Sequence, residues 1–573
     1  MSKLRPNISR RDIVGGGIAV SLLGAAGVSA QNANTSPNLP SDIKVIVTLN
    51  GATYSYPSGP TIPSYYVNFR EDGRIVFHLG ALGSLSGTTA TAEPYHLPSH
   101  QVRIERAGRA LLDVTIPGHW WNAEWTYRPK ALAVIKTPAQ LVAGNRMFPF
   151  GDAGCQVRRI RDFGFSGPMD SAGITKAMPT TGERPDLGWV TDVSGGWMLG
   201  GNSDSMLSWA QAAGSVPIHF RDESTGKPID LTKYPKANCY GTQGGFAPYL
   251  RRGPQNAAGF DIYGGGWKPD YSHFPEMSYV AYMATKDAGF LEDLQYSANF
   301  MLLFTSYFGP PTAAVISCSQ QRGLAWGLRE LFMAHVATTD AEAAGTLPAS
   351  CMPSRYYKTL LDNALAFYLP DLTNPANQTF QIFPAHALKD GFEAPWQQDY
   401  MVTALAFGVL TGHSDWAPVF LFALGNLISR LSGKSGWPPG VGGAYHIQIF
   451  ESAKNADGDV EPNTERPLTW AQAYTALGSS SVVKSDQGHI SLSAEQVAAL
   501  QNDPLNGGVP AIKNAYLETT RAAMVMADYL DKQKLAKVRQ TYSTFDTCLT
   551  NVQAMFRAWG RVSPKVSVIS KQA

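Results

Sequence analysis

The sequence predicts an α+β multidomain protein: an N-terminal β-sandwich-like domain followed by an (α/α)6 toroid of six helical hairpins. Between about residues 43 and 150, short runs rich in Val, Ile and Leu are broken by Gly and Pro at short intervals, which is typical of antiparallel sandwiches. From about residue 186 onward, apolar residues recur with the helical period, and the predicted helices can be grouped into six consecutive pairs.

The β-rich part rests on four predicted strands. They are Lys44–Leu49, Arg74–Leu79, Gln101–Arg106 and Ala110–Ile116. The resulting division of the chain is a signal peptide at 1–30, a linker at 31–42, an N-terminal β-rich domain with its connecting segment at 43–185, the toroid at 186–560 and a C-terminal tail at 561–573.

The N-terminal segment has the features of an export signal. Arg10 and Arg11 precede a Gly- and Ala-rich apolar run, and small residues end at Ala30 before Gln31. The arginine pair indicates the twin-arginine type. A membrane anchor is the alternative, but the apolar run is short and broken by glycines. We therefore expect the twin-arginine translocase as a partner during export, a periplasmic or secreted protein, and no membrane association after cleavage.

Composition excludes several classes of protein. Charged residues make up 16% and aromatic residues 11% of the 573 residues, and the formal net charge is +2. Such a chain is neither disordered nor, by composition, a nucleic-acid binder. Motifs for nucleotide, dinucleotide or haem binding are missing from the sequence, and its five cysteines lack metal-ligand spacing. We expect no cofactor and no metal.

The helical pairs share a pattern in which the first helix is apolar nearly all round and the second is amphipathic. The stretch Met277–Thr285 followed by Gly289–Phe304 is the clearest example. A helix that is apolar all round belongs inside, and an amphipathic one outside. The six pairs are Trp189–Leu199 with Ser203–Ala213, Glu276–Thr285 with Gly289–Phe304, Arg322–Ala337 with Arg355–Tyr368, Gln398–Leu410 with Trp416–Leu431, Thr469–Leu477 with Ser493–Gln501, and Ala515–Leu530 with Lys532–Phe556. An open solenoid is the alternative to a closed ring.

Polar residues precede or begin the inner helices. Because the inner helices of a ring run parallel, we expect these residues to meet at one mouth. Asp and Glu at such positions are also ordinary helix caps, and convergence from separate hairpins is what favours a site. The predicted substrate-binding residues are Arg184, Trp267, Tyr271, His273, Arg322, Trp396, Tyr445 and His446.

Two chemistries fit this set of residues. Glycoside hydrolysis needs one carboxylic acid to protonate the leaving oxygen and a second carboxylate as base or nucleophile. The predicted catalytic carboxylates are Asp186, Asp270, Glu276 and Asp399. A polysaccharide lyase instead needs a Tyr or His to remove a proton beside a uronic carboxylate, and an Arg or His to neutralise that carboxylate. Tyr271, His273, Arg322, Tyr445 and His446 would serve that reaction. His273 with Glu276 could also be two metal ligands, but no third ligand is identifiable.

Four motifs carry a resemblance to a known superfamily. They are Gly-Glu-Arg-Pro-Asp-Leu-Gly, Asp-Tyr-Ser-His-Phe-Pro-Glu, Gln-Arg-Gly-Leu-Ala-Trp-Gly-Leu-Arg and Trp-Gln-Gln-Asp-Tyr. Over about 186–560 the chain resembles the six-hairpin glycosidase superfamily. The resemblance implies an (α/α)6 toroid behind a β-domain and action on a polysaccharide or oligosaccharide. We expect a glycoside hydrolase; the alternatives are a lyase acting on an acidic, uronate-containing glycan and a non-catalytic glycan-binding envelope protein.

Overall fold

The protein combines antiparallel sheets in its N-terminal part with helices in its C-terminal part, as seen in a computed structural model. The mixed α and β composition predicted from the sequence is confirmed. The structure describes residues 39–62, 64–80, 96–149, 163–180, 184, 186–222, 225–235, 237, 266–305, 320–383, 392–439, 447–454, 460–477 and 513–562. These residues all belong to one contact unit, Ser36–Ala573.

Two antiparallel sheets form the N-terminal part. Their strands are β1 Ile43–Leu49, β2 Ala52–Tyr56, β3 Tyr65–Phe69, β4 Ile75–Leu79, β5 His100–Arg106, β6 Arg109–Ile116 and β7 Ala123–Tyr127. One sheet has the order β2–β1–β5–β6 and the other the order β3–β4–β7. The four predicted strands correspond to β1, β4, β5 and β6, whereas β2, β3 and β7 carry too few branched residues to have been recognised.

The two sheets share one hydrophobic core. Along β1, Val45 and Val47 are buried and Lys44 between Ile43 and Val45 is exposed, which is the alternation of a strand with one face inward. These side chains belong to the same cluster as Phe77 and Trp125 of the second sheet. The rings of Phe77 and Trp125 stack with centroids 3.9 Å apart. The two sheets therefore pack on a common core, and the predicted β-sandwich remains a prediction.

The helices follow after a short first helix, α1 Pro138–Ala143. They are α2 Asp192–Met198, α3 Ser203–Ala212, α4 Tyr279–Thr285, α5 Ala288–Thr305, α6 Gln321–Ala343, α7 Ser354–Tyr368, α8 Pro375–Gln378, α9 Pro395–Leu410, α10 Ala417–Leu431, α11 Trp470–Leu477, α12 Lys513–Lys532, α13 Val538–Thr541 and α14 Phe545–Val562. Short strands lie between them: β8 Phe392–Glu393, β9 Ile447–Gln448, β10 Phe450–Lys454 and β11 Val460–Pro467. Within the described residues, no helix is both long enough and apolar enough to cross a membrane.

The first helix of each early pair is buried, as its composition predicted. Every residue of α4 from Tyr279 to Ala284 is buried. Helix α6 is buried without interruption from Gln321 to Ala334. It packs against α9, and α9 packs against α12. By contrast, α7 buries one stripe that includes Tyr357, Leu361 and Ala364. In the pair α6 and α7 the first helix is therefore buried on all sides and the second on one side, as expected for an inner and an outer helix.

Helix α5 differs from the expectation of a solvent-facing outer helix. Of its polar residues, Glu292 faces the β-domain, whereas Gln295 and Asn299 hydrogen-bond Thr338 of α6 and Tyr356 of α7. Glu292 accepts hydrogen bonds from Arg70 Nη2 at 3.0 Å and Arg74 Nη2 at 2.8 Å. Gly289 permits this approach, since a Cβ there would lie 2.7 Å from Arg74 Nη1. The amphipathic pattern was correct, but these polar residues bind protein groups rather than water.

The first helix of the predicted fifth pair does not lie between the fourth and the sixth pairs. Because α9 packs directly on α12, the eight-residue α11 has its main contacts elsewhere, with β9. Trp470 of α11 joins Trp437 and Ile447 in a separate small hydrophobic cluster. The second helix of that pair, Ser493–Gln501, lies outside the described residues. In each of the other five predicted pairs the two helices contact each other, and closure into a six-hairpin toroid remains a prediction.

Candidate functional site

The segment before α4 forms a short 3-10 turn, Tyr271–His273, that is capped by Asp270. The Asp270 carboxylate accepts hydrogen bonds from the Ser272 backbone N–H at 3.2 Å and from the Ser272 hydroxyl at 2.9 Å. Its Oδ2 also lies 2.5 Å from His273 Nδ1. An aspartate at a helix start takes up free N–H groups. Here the same carboxylate also fixes the orientation of an imidazole ring.

Arg322 reaches this turn from the first turn of α6. Its Nε donates to the Ser272 carbonyl oxygen at 2.6 Å, and its Nη2 lies 2.9 Å from His273 Nε2. The guanidinium also lies over the Trp396 ring, 5.9 Å from its centroid, and Trp396 is in the first turn of α9. A carboxylate only accepts and a guanidinium only donates. The His273 proton is therefore assigned to Nδ1, and its Nε2 accepts from Arg322.

Arg184 approaches the turn from the segment before α2. Its Nη2 donates to the His273 carbonyl oxygen at 2.9 Å, and its Nε donates to Asp186 Oδ1 at 3.0 Å. Asp186 is fully buried, and its second oxygen, Oδ2, has no hydrogen-bond partner in the part of the chain that the structure describes. Three hairpin starts therefore meet at His273, and the predicted residues Arg184, Asp186, Asp270 and Arg322 surround it.

His273 is held in its neutral form. Burial lowers the pKa of the imidazole, and the charges of Arg322 and Arg184 lower it further, against the opposing effect of Asp270. A neutral imidazole at pH 7 has one lone pair, on Nε2, and that atom can act as a base. The side chain is 12% exposed, so it lies at the edge of the core.

Arg322 differs from the other buried arginines of the described residues. Each of the others has a carboxylate within salt-bridge distance; the pairs are Arg74 with Glu292, Arg221 with Glu124, Arg329 with Glu330 and Arg430 with Asp399. Arg322 is 1% exposed and contacts only neutral acceptors, and its Nη1 has no hydrogen-bond partner among the described residues. A buried cation without a paired anion is costly, so this position favours a negatively charged ligand.

Glu276 has a different place from that expected of a catalytic carboxylate. Its Oε1 accepts from the backbone N–H groups of Tyr279 at 2.6 Å and Val280 at 3.3 Å, and its Oε2 accepts from the Ser194 hydroxyl at 3.2 Å. These contacts make it the N-terminal cap of α4. Burial raises the pKa of its carboxyl, although Arg329 opposes that shift.

A second buried carboxylate near Glu276 was missed by the sequence analysis. Glu330 Oε1 accepts from Arg329 Nε at 3.0 Å and Nη2 at 2.7 Å, and its Oε2 has no hydrogen-bond partner among the described residues. Burial and the nearby charge of Glu276 raise the pKa of Glu330 to about 7, against the effect of Arg329. An adjacent Arg-Glu pair inside an otherwise apolar helix was the signal that could have indicated it.

We expect Glu330 to make the protein less stable as the pH rises. Because burial raises its folded pKa to about 7 from an ordinary 4.5, its contribution is fully present below about pH 4.5 and is lost as the pH approaches 7. Glu330→Gln should remove this pH dependence. As the pH rises from about 5 to about 8, the free energy of unfolding of the wild type should therefore fall by on the order of 2 kcal/mol relative to that of the variant. Chemical denaturation of both proteins at the two pH values measures the difference. Equal pH dependence in the two proteins would contradict the assignment.

Asp399 does not contact the His273 cluster, which consists of His273 with Arg184, Asp270 and Arg322. It is fully buried between α9, α10 and α12, where Oδ1 accepts from Arg430 Nη2 and Oδ2 accepts from the Thr520 hydroxyl at 2.5 Å. Burial raises the pKa of its carboxyl to about 6, although Arg430 opposes the shift. Gln397, two residues earlier on α9, does reach the cluster, since its Oε1 lies 3.4 Å from the backbone N of Arg322.

The predicted aromatic residues are mostly packed. Trp267 is fully buried, with the Lys176 ammonium 5.5 Å from its ring centroid. Tyr271 is 7% exposed and packs against Phe304. Trp396 is 4% exposed and its ring faces Arg322 rather than an open platform. Tyr445 and His446 lie outside the described residues.

His273 and Glu276 do not form a metal site in this arrangement. Both imidazole nitrogens are engaged, by Asp270 and Arg322, and both Glu276 oxygens accept hydrogen bonds from protein groups. Within the described ranges, no group of three or more His, Cys, Asp or Glu residues could hold a metal ion.

A separate cleft of about 530 Å³ lies between the β-domain and α3. It is lined by residues that include Trp125, Arg128, Phe165, Asp204 and Gln211, and it contains none of the residues around His273. One face of Trp125 is already covered by Phe77. The cleft lies at the junction of sheet and helix, away from the residues around His273.

Comparisons of the chain with protein-family models, with curated proteins and with solved structures found no match. Function is therefore inferred from the geometry around His273 and from the sequence motifs that converge there.

Proposed function

We propose that this chain is an exported carbohydrate-active enzyme that cleaves an acidic, uronate-containing glycan by β-elimination. The export and the carbohydrate substrate rest on the twin-arginine segment and on the resemblance to six-hairpin glycosidases. The assignment of an acidic substrate rests on one observation, the buried guanidinium of Arg322. This group has no carboxylate partner in the described part of the chain and lies 2.9 Å from the neutral His273.

In the proposed reaction, Arg322 binds the uronate carboxylate and His273 acts as the base. Binding of the carboxylate by a guanidinium makes the proton on the neighbouring carbon more acidic. His273 Nε2 takes that proton, the electron pair forms a carbon–carbon double bond, and the bond to the glycosidic oxygen breaks. That oxygen then needs a proton. We assign that proton to solvent water, since Tyr271 packs against Phe304 and the predicted residues Tyr445 and His446 lie outside the described residues.

Asp270 and Arg184 position the base in this proposal. The Asp270 carboxylate holds the proton on Nδ1, so the basic lone pair is on Nε2. Arg184 fixes the backbone of the turn through the His273 carbonyl oxygen. Both residues act on the imidazole rather than on the substrate, so their removal should lower turnover more than substrate affinity.

A glycoside hydrolase is the second candidate, and one observation favours it. Asp186 Oδ2 is buried and has no hydrogen-bond partner among the described residues. Asp186 and Asp270 could then form the pair of carboxylates that hydrolysis needs. The other two predicted carboxylates weaken this reading: Asp399 is committed to Arg430 and Thr520, and Glu276 caps α4. We therefore rank elimination above hydrolysis.

A panel of neutral and uronate-containing polysaccharides distinguishes these functions. We expect products only from acidic glycans, together with new absorbance near the ultraviolet edge from the unsaturated ends. New reducing ends without that absorbance would support the hydrolase instead. Binding of glycans without any product would support a non-catalytic glycan-binding protein. His273→Gln is the matched inactive variant, and Arg106→Gln, at an exposed arginine in the β-domain, is the control for general effects of mutation.

A further inference from the structure

His273 is not a free base in the unbound protein. Its Nδ1 lies 2.5 Å from an Asp270 oxygen, which assigns the proton to Nδ1. The remaining lone pair, on Nε2, accepts a hydrogen bond from Arg322 Nη2 at 2.9 Å. The one basic atom of the ring is therefore occupied by the group that we assign to substrate binding.

We propose that Arg322 caps the base of the resting enzyme and that the carboxylate of an acidic sugar releases it by drawing the guanidinium away from His273. This inference rests on the proposed function for the identity of the ligand. It adds that binding of the acidic group is what makes the base available.

The geometry of Arg322 favours this exchange. A carboxylate attracts the guanidinium by its opposite charge, which a neutral imidazole does not offer, and the planar fork can bind both carboxylate oxygens. Nη1 has no hydrogen bond to the described residues, so this arm of the fork gives up no partner when it binds a carboxylate. The Nε bond of 2.6 Å to the Ser272 carbonyl oxygen keeps the side chain anchored during a small rotation of its end.

The capped base gives a reason for selectivity in turnover. A neutral or esterified sugar could occupy the same position but offers no carboxylate to compete for Arg322. His273 Nε2 would then stay hydrogen-bonded to the guanidinium, and the ring could not accept a proton. Ester substrates should therefore bind without reacting, and discrimination should fall mainly on kcat rather than on KM.

Because charged groups face His273, the pKa of its imidazole should report the exchange. They are Asp270 on its own turn, Arg322 from α6, and Arg184 with its partner Asp186 from the segment before α2. Burial and the Arg322 charge both depress the imidazole pKa. Moving the guanidinium onto a carboxylate removes the contact with Nε2 and introduces a negative charge, and both changes should raise that pKa.

The experiment is nuclear magnetic resonance of the protein carrying labelled histidine, with the His273 signal assigned by its loss in His273→Gln. The imidazole is titrated without ligand and with four uronates in turn: glucuronate, galacturonate, mannuronate and iduronate. The methyl ester of each is the uncharged control. We expect at least one uronate to raise the His273 pKa measurably and its ester to leave it unchanged. Arg322→Met should raise the pKa without any ligand.

Two results would overturn the inference. One is an unchanged His273 pKa in Arg322→Met, which would mean that Arg322 does not cap the ring. The other is a wild-type protein in which none of the four uronates moves the titration. The wild-type titration needs only His273→Gln, for the assignment of the signal, so it decides the question even if Arg322→Met fails to fold. If a uronate releases His273 but no acidic glycan is cleaved, the capping inference stands and the proposed β-elimination fails.

Discussion

Replacing Arg322 with Gln is expected to lower kcat/KM for the acidic glycan by about 10²–10³-fold, the usual loss when one preorganised donor to a developing charge is removed. The stability of the folded protein should hardly change. Arg322 contacts neutral acceptors and has no salt bridge to any described residue, so its removal leaves no carboxylate unpaired. Initial rates and chemical denaturation of the same protein preparation measure both quantities.

Arg430→Gln provides the matched comparison, because Arg430 is equally buried but is paired with Asp399. That variant should lose stability. The opposite pattern, a stability loss in Arg322→Gln with unaltered kcat/KM, would remove Arg322 from the site. Unaltered activity and stability together would show that the unpaired guanidinium has neither a catalytic nor a structural role.

Replacing Asp399 with Leu is expected to destabilise the protein by about 3–5 kcal/mol, because it leaves the Arg430 guanidinium buried without its partner. The Thr520 hydroxyl also loses its acceptor. Any activity should fall only in proportion to the unfolded fraction, since Asp399 does not contact the His273 cluster. Urea unfolding followed by fluorescence measures the stability, and kcat below the transition measures the activity.

The double variant Asp399→Leu with Arg430→Met tests the cause of that loss. It removes both charges and replaces them with apolar groups of similar size, so much of the stability should return. If the double variant is no more stable than Asp399→Leu alone, the unpaired Arg430 charge is not the reason. A large fall in kcat with unchanged stability would return Asp399 to the set of catalytic candidates.

The position of Asp399 illustrates a limit of reading helices from sequence. Successive residues of an α-helix are rotated by about 100°, so Gln397 and Asp399 point to nearly opposite sides. The residues around them are apolar on all faces, so the sequence carries no signal for which side faces the mouth. The contacts decide it: Gln397 reaches the backbone of Arg322, whereas Asp399 reaches Arg430 and Thr520.

The fifth hairpin illustrates a second limit. Periodicity identified the helix Thr469–Leu477 closely, and the structure has it at Trp470–Leu477. Periodicity could not predict where that helix packs. An eight-residue helix with Trp470 on its buried side can pack equally well in a ring of helices or against a small sheet. Helix α9 instead meets α12 directly.

Features that depend on near neighbours along the chain could be predicted from the sequence. Alternating burial in strands, apolar helices inside, and the Asp270–His273 pair three residues apart all follow from local periodicity and from the chemistry of a capped turn. Which buried charges have partners depends on contacts between distant segments. Arg430 is paired with Asp399 of another helix and Arg74 with Glu292, whereas Arg322 contacts a neutral imidazole. Pairing of a buried charge depends on the side chains that other segments bring within a few ångströms. Arg322 has no acidic partner among the described residues, and for this reason we assign it to ligand binding.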